Sequence, residues 1–302
     1  MNDSETLRHG TAAQPLRYYP YMMQLQKFSR LLPLAAVLAV TGCGRAEFAF
    51  NNASTFGQTN PPVCLPGGGT GTSKNGLAGT IKYLTTAEAT AARPTKIDDI
   101  LNRGHDAGVQ LLLNDLDVPT VKFSQGFYDP ATGAALRTAS GDVLIEWFAI
   151  DMYSNLTLGD TDTDGLYQLA LISDDGAVLN INESATTAGT TLVNNDGEHP
   201  TLMGCATNAI HLTKGVPLPI HVKYYQGPRE HIALTLVWRK VAATSTPKDV
   251  ACGTGGNDYF WNSNVTPSAP TSKFTDLLCR GWKVPTAKNF VLPTGVTNTC
   301  GI

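Results

Sequence analysis

Between residues 76 and 240 apolar and polar positions alternate in short stretches separated by polar turns. A period of two sends successive side chains to opposite faces of an extended strand, so each stretch predicts a strand with one covered face. The clearest lie at residues 142–150, 166–172, 177–181, 218–224 and 232–238. In the fourth, Leu218, Ile220, Val222 and Tyr224 share one face, while Pro219, His221 and Lys223 share the other. Ile232, Leu234, Leu236 and Trp238 repeat the pattern. Faces this apolar need a second layer, which predicts an all-β fold, an antiparallel β-sandwich or barrel. One stretch departs from it: Ile97, Ile100 and Leu101 have helical spacing and predict a helix over residues 96–104.

Outside this block the pattern changes twice. Residues 31–41 are the one stretch apolar enough to enter a bilayer, and they fall well short of the roughly 20 residues a spanning helix needs. With Lys27 and Arg30 in front and small residues behind, residues 1–42 read as a signal peptide. The polar run before it is long for such a leader, so the true start is expected at Met22 or Met23. The leader ends in Val40-Thr41-Gly42-Cys43, which resembles the lipobox of bacterial lipoproteins. That resemblance implies cleavage before Cys43 and a lipid anchor on that cysteine, with Gly44 behind it compatible with the outer membrane. Residues 43–75 turn to Asn, Thr, Pro and Gly, the composition of a flexible tether. After Lys240 the alternation fades, and residues 241–302 carry scattered aromatics and three cysteines. Their apolar content is too low for an independent core, so a loop-rich, Cys-containing extension packed on the β-domain is expected.

Composition narrows the picture further. With 42% hydrophobic and 16% charged residues the chain can bury a core, and a net charge of -3 gives no electrostatic case for nucleic acid. Export would expose Cys64, Cys205, Cys252, Cys279 and Cys300 to an oxidising compartment. With Cys43 set aside the number is odd, so at most two bridges form. Cys252 and Cys279 are the preferred pair, because both lie in the tail that lacks its own core.

Three segments carry a further likeness. They are the opening Gly76–Tyr83 run (GLAGTIKY), the stretch Gly165-Leu166-Tyr167 running to Asp174-Asp175-Gly176, and Gly215 to Gly227 with its Pro219-Ile220-His221-Val222-Lys223-Tyr224-Tyr225 core. Together, in this order and spacing, they resemble the protective-antigen-type (PA-fourteen) domain. The resemblance implies two antiparallel sheets over residues 76–240. It also implies a binding function, best understood in fungal adhesins, where adjacent aspartates hold calcium and sugar hydroxyls complete its shell. Asp174 and Asp175 match that pair, and Gln226 falls where the adhesins carry an asparagine. Calcium takes six to eight hard oxygens, which two carboxylates at one turn begin to supply. An ordinary tight turn, with carboxylates accepting backbone N–H groups, explains Asp-Asp-Gly equally well.

Other chemistry is thinly represented. Asp160-Thr161-Asp162-Thr163-Asp164-Gly165 has the start of a calcium loop, but Leu171 stands where its bidentate Glu belongs, so a solvated hairpin loop is favoured. His199, His211, His221 and His231 lack metal spacing and are expected on exposed strand faces or loops. There is no nucleophile elbow, and no enzyme is expected. The expectation is a cell-envelope lipoprotein that binds a glycan, with calcium at Asp174, Asp175 and Gln226. Its rival is an assembly lipoprotein that uses the same domain to contact an envelope protein.

Overall fold

A computed structural model describes residues 63–64, 74–129, 133–183, 187–244 and 248–296. The leader with Met22 and Met23, Cys43, most of the tether and Cys300 lie outside the described residues.

Two antiparallel sheets stack face to face. Among the described residues the larger sheet holds β1 (Val63–Cys64), β2 (Leu77–Tyr83), β3 (His105–Asp106), β4 (Gln110–Leu113), β6 (Phe148–Leu156), β8 (Ala177–Ile181), β9 (Thr190–Asn195), β12 (Leu218–Gln226) and β16 (Phe290–Val291). Its spine runs β1-β4-β2-β6-β12-β8-β9. The smaller sheet holds β5 (Asp117–Lys122), β7 (Gly165–Asp174), β10 (Leu202–Cys205), β11 (Ile210–Leu212) and β13 (His231–Val241). The alternation explains the interface. Ile150, Met152, Ile220, Val222 and Tyr224 of the large sheet meet Leu169, Leu171, Leu234, Leu236 and Trp238 of the small one in a single core. Each such side chain contributes roughly 1.5–3 kcal/mol when fully buried.

Both outer faces are partly roofed. On the large sheet, Leu84, with Ala89 of helix α1 (Thr86–Ala91) and Ile97 and Ile100 of helix α2 (Ile97–Leu101), covers Ala149 and Tyr225. On the small sheet, the chain after Val241 lays Phe260, Trp261, Phe274, Leu277 and Trp282 over Ala170, Ile172 and Val237. This stretch contains a two-stranded pair, β14 (Trp261–Asn262) and β15 (Ala269–Pro270), and helix α3 (Ser272–Cys279), capped by the Thr271 hydroxyl accepting from the Lys273 N–H. Asp249, buried beneath it, accepts hydrogen bonds from Arg239, Arg280 and the Trp282 indole. The chain then crosses to the large sheet, where Phe290 pairs with Leu156.

Two expectations need correction here. Cys252 bonds Cys205, not Cys279, with Cα atoms 5.6 Å apart. Residues after Asp249 run beside β10, and the Gly253 N–H donates to Met203 O, which carries Cys252 to the strand end. Cys279 is disulfide-bonded elsewhere. The strand expected over residues 142–150 begins only at Phe148 and continues to Leu156, because Trp147 has φ 59°, a left-handed conformation that turns the chain before the strand starts.

Candidate functional site

Asp174 ends β7 and Asp175 opens the turn into β8, the turn that the sequence marks with Asp-Asp-Gly. The Asp174–Asp175 peptide bond is cis. Both aspartates are only 4% exposed. The Asp174 carboxylate accepts from the Thr201 hydroxyl at 3.0 Å. In Asp175, Oδ1 accepts the His199 N–H at 3.0 Å and Oδ2 accepts the Gly227 N–H at 2.9 Å. The turn sits on the Tyr225 ring, which leaves no space for a side chain on Gly176: a Cβ there would lie 2.7 Å from the ring.

Burial perturbs both carboxyls, as it also does Asp115 and Asp117, which rise to about 7 and about 6. Burial first, then the neighbouring Asp175 charge, push Asp174 up to about 8. Burial raises Asp175 to about 6, against the lowering effect of the Gly227 and His199 N–H groups. Among the described residues neither aspartate forms an ion pair with Lys or Arg. Each carboxylate has about four lone-pair sites, so the hydrogen bonds above leave capacity on both. A cation would relieve repulsion between the two carboxylates, which begin a calcium shell, although among the described residues no third His, Cys, Asp or Glu joins them.

Gln226 does not fit as the third ligand. It shares the parity of Ile220, Val222 and Tyr224, so its side chain points into the sandwich and is fully buried. Its Oε1 lies 2.6 Å from the Tyr224 hydroxyl, and its Nε2 donates to His231 O at 2.9 Å. The same Tyr224 hydroxyl lies 2.6 Å from Asp174 O, so its single proton serves two acceptors. Gln226 therefore braces the turn from behind instead of presenting an oxygen at its surface.

Three side chains that no local motif announces border the turn. The Trp147 N–H donates to the carbonyl of Gly227, the residue whose own N–H holds Asp175. The Arg93 guanidinium lies 5.9 Å from the Trp147 ring and pairs with Glu198 at 2.7 Å, next to His199. These residues come from three separate loops, which is why sequence reading misses them.

The remaining sequence candidates have structural roles. Asp162 of the Asp160–Gly165 run is buried, bonded to Lys283, the Gly159 N–H and the Asn289 amide. Burial would raise its pKa, but Lys283 and these donors hold it below the usual carboxylate value. Asp164 Oδ1 accepts from the Lys214 N–H at 2.7 Å. The loop thus ties the C-terminal extension to the domain through Asp162. His221 is not the exposed strand-face residue expected: it is 1% exposed, with Asp151 and Glu183 at its two ring nitrogens. His231 is also buried and meets the Ser263 hydroxyl at 2.9 Å.

No protein-family model and no curated protein matches the sequence. Among solved structures, similarity is found to a PA14 sugar-binding domain from an RTX adhesin, at 13% identity and a TM-score of 0.44, over 73% of this chain and 100% of that one. The Epithelial Adhesin 6 A domain from Candida glabrata, solved with Galβ1-3GlcNAc, gives 16% identity and a TM-score of 0.40, over 70% and 98%. The PA14 domain of the antifreeze protein MpAFP gives 12% and 0.39, over 56% and 86%. The likeness concerns the course of the chain; the chemistry of the site stands on the residues above.

Proposed function

We propose that this is a cell-envelope lipoprotein, held to the outer membrane by lipid on Cys43, whose β-domain recognises carbohydrate through a calcium ion held by Asp174 and Asp175. The observation that carries the reading is the aspartate pair itself. Two adjacent carboxyls are both nearly inaccessible and both raised by burial, and among the described residues neither forms an ion pair with Lys or Arg. A calcium ion there would supply positive charge and open coordination positions that vicinal sugar hydroxyls can fill. The chain's own part is to fix the two carboxylates through Thr201, His199 and Gly227, and to border them with the Trp147 ring and the Arg93–Glu198 pair. An aromatic face beside a polar clamp suits a sugar ring, which presents C–H groups on one side and hydroxyls at its edge.

A glycan array, probed with calcium and again with EGTA, tests the proposal. Galβ1-3GlcNAc is a natural first probe, since the adhesin domain named above was solved with it. A set of hits that disappears in EGTA and in Asp174→Asn/Asp175→Asn supports the reading. If every hit survives both treatments, the aspartate site is not where sugar binds.

A further inference from the structure

We propose that the outer face of the large sheet carries a second carbohydrate-binding site, independent of calcium, with the Tyr153 ring as its stacking platform. Helices α1 and α2 roof only one end of this face. Beyond them the outward positions of β6 and β12 present Asp151, Tyr153 and His221. His221 is buried, with Asp151 at Nε2 and Glu183 Oε2 2.9 Å from Nδ1. Burial alone would lower its pKa, but Asp151 and Glu183 beside the two ring nitrogens leave it raised. Tyr153 lies flat on that ring, centroids 4.0 Å apart and planes 11° from parallel. One face of Tyr153 is thereby fixed while the residue stays 38% exposed, the largest side chain among the exposed hydrophobics of the described residues.

Tyr153 and Glu183 form part of the wall of a groove of about 1230 Å³, floored by Ala78, Gly79 and Ile220 and faced by Pro293. That exceeds the roughly 300–1,000 Å³ of a drug-sized pocket and leaves room for a short oligosaccharide. The lining selects the ligand class. Among the described residues no Lys or Arg lines the groove, so an anion finds no lysine or arginine counter-charge there. The two carboxylates of the Asp151–His221–Glu183 cluster are both engaged by the one buried ring. A purely apolar ligand would desolvate Glu183, Asp106 and Asn155 without bonding them. A neutral polyhydroxylated ring satisfies both halves of the site, with C–H groups on the tyrosine and O–H groups on these acceptors.

The site stands apart from the Asp174–Asp175 reading, and EGTA separates the two. The test uses the full mature chain in EGTA, titrated with cello-, laminari-, chito- and galacto-oligosaccharides of three to six residues, by calorimetry and saturation-transfer NMR. At least one series is expected to bind. Tyr153→Ala is expected to weaken it at least about tenfold, the scale of one lost stacking contact with its ordering. Tyr153→Phe, which keeps the ring, and Asp174→Asn/Asp175→Asn are expected to bind as the parent does. Should Tyr153→Ala fail to fold, Asn155→Ala at the polar wall is expected to weaken binding measurably in its place. Three results overturn the proposal: no series binds in EGTA, binding is indifferent to both groove variants, or binding emerges only when the chain is shortened after Val296. The last would mean that residues 297–302 themselves occupy the groove.

Discussion

Replacing Asp174 by Asn should stabilise the protein at alkaline pH when calcium is absent, although it alters a buried, hydrogen-bonded residue. Asp174 has an ordinary carboxyl value of 3.8 in the unfolded chain and about 8 in the fold. A carboxyl whose folded value is raised favours folding below its unfolded value, and that advantage is lost as pH rises towards and through the folded value. From pH 5 to pH 8 the nominal loss is about 4 kcal/mol at 1.36 kcal/mol per unit, and relaxation with water entry leaves roughly 2 kcal/mol. An asparagine keeps the volume and an acceptor for Thr201 but carries no charge to bury. At about 2–4 °C per kcal/mol for a domain of this size, Asp174→Asn should melt roughly 5 °C above the parent at pH 8 in EGTA. At pH 5 the two should lie closer together. Adding calcium should reverse the order at pH 8, by raising the parent and leaving the variant unmoved. Differential scanning fluorimetry at both pH values, with EGTA and with calcium, reads all of this. A variant that melts well below the parent in EGTA at pH 8, by as much as at pH 5, would refute the electrostatic argument.

Other outcomes follow from the same contacts. Trp282→Ala should cost about 3–5 kcal/mol, the range for emptying a large buried aromatic site, and should open the C-terminal extension to limited proteolysis before the β-domain melts. Asp162→Ala, which strands Lys283 and the Asn289 amide, should cost about 1–3 kcal/mol by denaturant melting. Gln226→Asn should leave calcium binding in place while lowering the melting temperature, since it breaks the brace on Tyr224 and adds no ligand; a lost calcium signal in a folded variant would count against the inward assignment. Mass spectrometry of the denatured mature protein should find a lipid on Cys43 and one free thiol among the other five cysteines, because an odd number cannot all pair; no free thiol and no lipid would remove the anchor.

Local alternation carried much of the fold. The strand Ala177–Ile181 has the bounds that its pattern predicts, and β12 and β13 extend the expected stretches by a few residues. Other elements lacked such a signal. The Leu111-Leu112-Leu113 run of β4 does not alternate, and Pro119 interrupts β5, so neither reads as a half-covered strand. Helix α3 is short, with Phe274 and Leu277 as its buried anchors, too few positions for a period to stand out. At the site, Asp174 and Asp175 were legible because they adjoin in sequence. The inward direction of Gln226 was legible too, since it continues the parity of Leu218 to Tyr224, and parity is the better guide than position in a motif. The clamp on His221 could not be read, because Asp151 and Glu183 reach it from elements distant in the chain. Cys205–Cys252 was hidden for the same reason: the loop that follows Asp249 meets β10 only in three dimensions.

The proposed function depends on Asp174 and Asp175 together holding a calcium ion. Calorimetric titration of calcium into the metal-free chain at pH 8, beside Asp174→Asn/Asp175→Asn, tests it most directly. One saturable site is expected in the parent and none in the double variant. A parent that gives no heat and no calcium-dependent change in melting temperature, or a double variant that binds as the parent does, would contradict it.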